Sequence, residues 1–133
     1  MKQFTVKTHA RSEMIDITAE IRLILRESSV TNGICYVFVP HTTAAITVNE
    51  NADPDVPGDI LMELDKVIPV SDNYRHREGN SAAHIKTSLV GSSEAIFIKG
   101  GNLVLGAWQS LFFCEFDGPR TRQVLVELIF NDR

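Results

Sequence analysis

Two histidines, His76 and His84, stand eight residues apart, with Arg77, Glu78 and Asn80 between them. The chain has four histidines in all, and a third, His41, follows Pro40 at the end of an apolar run. Neutral imidazole ligates divalent metals, and the ring also moves protons near neutral pH. If Asn80 opens a helix, His84 lies in its first or second turn, where the positive helix end favours the neutral ring. His76 lies on the loop before it and can fold back, because so short a loop closes at little entropic cost. One reading is a metal or phosphate pocket built from His41, His76 and His84. The other is unconnected surface histidines, since an eight-residue spacing is no compact ligand motif such as HExxH.

Two more polar clusters sit where apolar strands end. His41-Thr42-Thr43 is followed by Asn49, Glu50, Asn51 and Asp53. Asp53 stands directly before Pro54, and on local evidence it fits a helix N-cap better than a ligand. Further on, Gln109, Leu111, Phe113, Glu115 and Asp117 share one face of a strand by its period of two. An acid inside LFFCEF must face solvent or meet a cation or metal. Arg120 and Arg122, around the next turn, are candidate partners.

These side chains need elements to hold them. Alternation predicts strands over residues 3–9, 13–17 and 44–50, and the apolar run ICYVFV predicts another. Thr18 is a candidate cap for a helix to about Ser29, with Ile21, Ile24 and Leu25 on one face. A second helix starts near Asp53, where Pro57 fits only an irregular first turn. A third runs from Asn80 or Ser81 to Val90 and stops at Gly91. In the last third, SEAIFIK and NLVLGAW flank Lys99-Gly100-Gly101, and QSLFFCEFD and TRQVLVELIF flank a turn at 117–120. Both read as hairpins. About eight strands against three helices gives an α+β class with a compact, antiparallel β-sandwich-like core in a single domain, residues 1–133.

Composition narrows the function. The 133 residues are 44% hydrophobic and 23% charged, with a net charge of −4. That balance argues against nucleic acid as the partner, because phosphate backbones need a basic surface. No segment approaches the roughly 20 apolar residues of a membrane helix, so no membrane partner is expected. The N-terminal stretch has no apolar signal-peptide core, and Cys35 and Cys114 sit in apolar runs as buried thiols. A cytoplasmic location follows.

HTTAAITVNENADPD, HREGNSAAHIKTSLVGSS and GAWQSLFFCEFDGPRTR resemble, in order and separation, the three signature blocks of the YjbQ family, also called the secondary thiamine-phosphate synthase family. The resemblance covers nearly the whole chain. It implies a compact α+β fold with an antiparallel sandwich core, assembled as a homotrimer. It implies a pocket lined by His41, Thr42, Thr43, Asn49, Glu50 and Asp53, by His76, Glu78, Asn80 and His84, and by Gln109, Glu115, Asp117 and Arg120. It also implies a divalent metal, zinc or else magnesium, and a reaction joining a pyrimidine diphosphate to a thiazole phosphate with loss of pyrophosphate.

On that basis His41, His76 and His84 are expected as metal ligands. Glu50 or Glu115 is the expected general base, and Arg120 the group that meets a phosphate on a phosphorylated small molecule. Thr42, Thr43, Asn49, Asn80, Gln109 and Asp117 complete the substrate contacts. The sequence lacks a Gly-rich phosphate loop, so a weak or secondary synthase activity fits better than a dedicated one. The alternatives are a metal-dependent hydrolase, a module that binds an anionic metabolite without turnover, and a trimer with a purely structural role.

Overall fold

Side chains alternate across a strand, so each apolar run must find one cover or two. The computed structural model describes residues 1–130 and shows both outcomes. Lys2–Lys7 (β1), Asn32–Phe38 (β3), Ser93–Lys99 (β5), Asn102–Leu103 (β6) and Thr121–Phe130 (β8) form a five-stranded sheet in the order β1-β8-β3-β5-β6. Glu13–Asp16 (β2), Ala44–Glu50 (β4) and Gln109–Glu115 (β7) form a three-stranded sheet in the order β2-β7-β4. Every pairing is antiparallel.

The helices are Thr18–Ser28 (α1), Asp55–Val67 (α2) and Ser81–Val90 (α3). Cys35 and Val37 of β3, with Val124 and Val126 of β8, meet Ile46, Leu111 and Phe113 of the small sheet and Ile21 and Leu25 of α1. The other face of the small sheet, Ala45, Phe112 and Cys114, packs against Ala83 of α3, Leu61 and Leu64 of α2, and Phe116. The small sheet is therefore covered on both sides, which explains why LFFCEF reads as an unbroken apolar run. The large sheet is covered on one side only. Its outer face leaves Tyr36, Phe38, Phe97 and Ile129 exposed.

The three helices and eight strands match the expected α+β class and antiparallel two-sheet core. Three details differ. Strand β6 has only two residues where a strand over 102–108 was expected, and Gln109 N–H closes a turn onto Gly106 O instead. Helix α2 begins at Asp55 rather than beside an Asp53 cap, although Asp53 Oδ1 still accepts the Asp55 N–H at 2.9 Å. Pro57 then sits in the first turn, where no intrahelical N–H is lost.

The third difference matters most for the site. The turn at 117–120 joins no hairpin, because β7 pairs with β2 and β4 while β8 pairs with β1 and β3. Here the chain passes from the small sheet to the large one. Gly118 sits so tightly there that a Cβ would lie 2.2 Å from the Ala10 carbonyl oxygen. No helix among the described residues is long and apolar enough to cross a membrane.

Candidate functional site

The chain changes sheet at the 117–120 turn, and it also changes sheet between β3 and β4, through residues 39–43. Both crossings occur at the same end of the molecule. Where a strand leaves one sheet for another its backbone ladder stops, and polar side chains take over the bonding. Helix α3 also begins here. Between these three segments lies an open pocket of about 700 Å³.

Its floor is an ion pair. Glu115 is fully buried, and Arg122 lies beneath the pocket with its side chain 6% exposed. Arg122 donates through Nε to Glu115 Oε1 at 2.9 Å and through one Nη to Oε2. Thr8 Oγ1 and the Asp117 N–H also donate to this carboxylate, at 2.7 and 3.1 Å. The same Arg122 Nη donates to Thr43 Oγ1 at 2.8 Å. Burial alone would raise the Glu115 pKa, but the donors from Arg122, Thr8 and Asp117 and the guanidinium charge outweigh it. The carboxyl is held below its ordinary range. Glu115 is thus saturated and does not face ligand. Its expected role as a base gives way to that of a support for Arg122.

The rim carries the groups with capacity to spare. Asp117 accepts from Asn80 Nδ2 at 2.9 Å and from an Arg120 Nη at 3.0 Å. Burial would raise its pKa too, and these donors with the nearby charges hold it low. Arg120 also donates through Nε to the Asp117 carbonyl at 2.7 Å, which fixes the guanidinium while its side chain stays 53% exposed. Its remaining N–H groups are free for a ligand. Asn80 leaves the N-terminus of α3 without a side-chain cap, and its Oδ1 is buried without a hydrogen-bond partner.

The imidazoles divide into one and two. His41 accepts the Gln123 backbone N–H at Nε2, at 2.9 Å. That bond requires Nε2 to be unprotonated, so the neutral ring carries its proton on Nδ1. Burial, and then the charge of Arg122, push the His41 pKa down, against a weaker opposing effect of Glu115. His76 and His84 meet edge to face, with centroids 5.3 Å apart and planes at 89°. Glu78 Oε2 approaches His76 Nε2 at 4.0 Å.

This arrangement does not fit the expected three-histidine metal centre. The Nε2 lone pair of His41 is already engaged, and the Nδ1 proton blocks its other nitrogen. Among the described residues, no group of three or more His, Cys, Asp or Glu side chains is placed to hold a metal ion.

Of the other expected residues, Thr42 and Thr43 line the pocket. Asn49, Glu50 and Gln109 do not. Ala44 pairs with Glu115 at the pocket end of β4 and β7, while Glu50 pairs with Gln109 at the opposite end. Six residues of strand separate the two ends, roughly 20 Å at about 3.3 Å per residue. Within one chain, then, neither Glu50 as base nor Asn49 and Gln109 as substrate contacts reach this pocket. Asp53 is likewise absent from its lining. Arg122, expected as a candidate partner of Glu115, is that partner and lines the pocket as well; Phe38 lines it and was not foreseen. The signal for Arg122 was Glu115 itself, a buried acid that needed a cation.

The geometry can be set beside known proteins. The family model described as UPF0047 protein YjbQ-like matches residues 2–131. The chain belongs to the YjbQ family. It is 49% identical over 130 residues to UPF0047 protein YugU of Bacillus subtilis, covering 97% of this chain and 98% of that one. It is 53% identical over 127 residues to a UPF0047 protein of Methanocaldococcus jannaschii, covering 96% and 92%. Its fold overlays an uncharacterized conserved YjbQ/UPF0047 family protein of Clostridium acetobutylicum with a TM-score of 0.96, at 53% identity and 97% and 100% coverage. It overlays a conserved hypothetical protein of Thermus thermophilus with a TM-score of 0.90, at 41% identity and 97% and 100% coverage. YjbQ membership accounts for the fold and the order of the signature blocks. The thiamine-phosphate synthase wording is another name for the YjbQ family and carries no reaction with it.

Proposed function

We propose that the pocket between the sheet crossings binds a phosphorylated small molecule and performs acid–base chemistry on it. One observation carries the reading: Arg120 and His41 keep N–H donors in the pocket that its floor and rim carboxylates do not use. Glu115 and Asp117 already accept from arginine, while Arg120 keeps free N–H groups and His41 presents a protonated Nδ1. The uncapped start of α3 adds backbone N–H groups and a positive dipole end, a setting that favours anions. His76 and His84 are the groups able to take or give a proton at a phosphate or leaving oxygen. Loss of phosphate or pyrophosphate in a transfer or hydrolysis suits this set, and the synthase-type reaction is one member of that class. Binding without turnover uses the same donors and is favoured over catalysis only by the absence of Glu50 from the pocket.

Arg120→Gln tests the reading by titration calorimetry with inorganic phosphate. Charge-assisted hydrogen bonds contribute about 1.5–3 kcal/mol, so affinity should fall by roughly 10- to 100-fold. Unchanged affinity would remove Arg120, and the anion reading with it.

We also propose that the chain assembles with itself, as a homotrimer. What supports this is the outer face of the large sheet, where Phe97 is 69% exposed and Tyr36, Phe38 and Ile129 are exposed too. Apolar patches of this kind mark contact surfaces. Two free, buried thiols suit a reducing compartment such as the cytoplasm.

A further inference from the structure

Helix α3 buries a lysine. Its inward face is Ala82, Ala83, Lys86 and Thr87, and Lys86 is 2% exposed. A buried ammonium must be paired and its N–H groups bonded. Asp65 of α2 accepts one of them, from a half-exposed side chain. The Phe116 ring, its centroid 5.8 Å from Nζ, adds a cation–π contact. An ammonium carries three N–H donors, and among the described residues Asp65 is the one hydrogen-bond acceptor that meets them. At the start of the same helix Asn80 has the opposite need. Its Nδ2 donates to Asp117, which fixes the amide and leaves Oδ1 buried without a donor. Lys86 and Asn80 line one narrow cavity of about 10 Å³, together with Arg11, Phe116 and Asp117. That is the size of a single water site. Water also has the right chemistry, since it accepts and donates at once. An anion there would face the Asn80 oxygen, and a cation would face the Lys86 ammonium.

We infer that this cavity holds one structural water, accepting from Lys86 Nζ and donating to Asn80 Oδ1, and that Lys86 is thereby a positioning residue for Arg120. The rest of the path is direct. Asp117 Oδ2 accepts from both Asn80 Nδ2 and an Arg120 Nη, at 2.9 and 3.0 Å. The orientation of the amide therefore sets the oxygen that holds the guanidinium. Lys86 itself is absent from the lining of the 700 Å³ pocket and acts on it only through this path. Its effect on phosphate rests on the anion reading above; the water and the path to Arg120 do not.

A crystal structure of the full chain, at a resolution that shows ordered water, tests the first half. A water should lie within about 3.2 Å of both Lys86 Nζ and Asn80 Oδ1. An empty cavity, or a direct bond between the two side chains, overturns the inference. Two variants test the second half. Lys86→Met keeps the apolar stem and removes the donors. Solvent exchange of the Arg120 Nε–H, followed by NMR, should quicken by at least about threefold, and phosphate affinity in calorimetry should fall by about three- to tenfold, the measure of one lost hydrogen bond. Asp65→Asn removes the charge of the partner but keeps an acceptor for Lys86. It should lower the melting temperature, as Lys86→Met does, and leave Arg120 exchange and phosphate affinity unchanged. Equal changes of exchange and affinity in the two variants would mean that Lys86 only holds α2 against α3, and would overturn the positioning role. Unchanged Arg120 exchange in Lys86→Met overturns it too. The crystal structure needs no variant, so a Lys86→Met chain that fails to fold leaves the water open to refutation. A wild type that binds no phosphate overturns the anion reading, while the water and the Arg120 exchange still decide this one.

Discussion

Replacing Glu115 by glutamine removes one charge of the floor ion pair and almost no volume. The two side chains are 0% and 6% exposed, so solvent cannot take over the role of the missing charge. Removing one partner of a buried pair costs about 3–5 kcal/mol, because the other charge stays buried and uncompensated. Four hydrogen bonds end on this carboxylate, from Thr8, from Arg122 twice and from the Asp117 amide, which favours the upper half of that range. Arg122→Met should cost a similar amount. The double variant Glu115→Leu with Arg122→Met leaves no buried charge and should be less damaging than the sum. It still strands the Thr43 hydroxyl and the Asp117 N–H, at about 1–3 kcal/mol each, so it should not reach wild-type stability. Urea unfolding with unchanged m-values measures all three. The expected coupling is at least about 2 kcal/mol. Single variants within about 1 kcal/mol of wild type, or strict additivity, would refute the picture of a closed charged floor.

The same pair sets an acid limit. The Glu115 carboxyl is held below its ordinary range in the folded chain. Its contribution is therefore complete above the unfolded glutamate pKa, about 4.3, and is lost as pH falls through the lower folded value. The stability gap between wild type and Glu115→Gln should narrow across that acid window and stay constant from about pH 5 upward.

Other consequences can be checked separately. In a nitrogen-detected NMR titration His41 should show a protonated Nδ1 and a midpoint below the ordinary histidine value of about 6.5; a midpoint above it contradicts the burial of the ring and the nearby Arg122 charge. Exhaustive chelation should leave phosphate affinity and melting temperature unchanged; loss of binding that zinc restores would reinstate a metal centre. Phe97→Asp on the large sheet's outer face should convert a sedimenting trimer to single chains; a wild type that already sediments as one chain rules out self-assembly through this face.

Local chemistry made much of the fold legible. Gly91 ends α3 with φ at 102°, as its position after an apolar helix face implied. Lys99-Gly100-Gly101 turns β5 into β6 with Lys99 opposite Asn102. What could not be read was which sheet a strand joins. The turn at 117–120 shows that the chain reverses, and a reversal serves a hairpin and a crossing equally well. The choice depends on contacts with Ala10 and Arg11, more than a hundred residues earlier.

That missed crossing is also why the site was only partly foreseen. Read as a hairpin, β7 and β8 would place Glu115 and Arg122 across a ladder, as an ordinary cross-strand pair on a sheet face. Read as a crossing, they become the plug of a gap between two sheets, with Thr8 and Thr43 completing it from two other strand ends. The signature blocks give residue types without distances. Asn49, Glu50 and Gln109 stand in the same blocks as His41 and Glu115, yet seven-residue strands carry them to the far end of the small sheet. A block seen in sequence therefore mixes residues that build the floor, residues that face a ligand and residues that occupy another surface. Burial and bonding separate them: Glu115 is saturated, Arg120 is anchored with donors to spare, and His41 has one nitrogen committed. Arg120 and His41 keep N–H donors that the floor and rim carboxylates do not use, and those donors are what point the pocket at an anion.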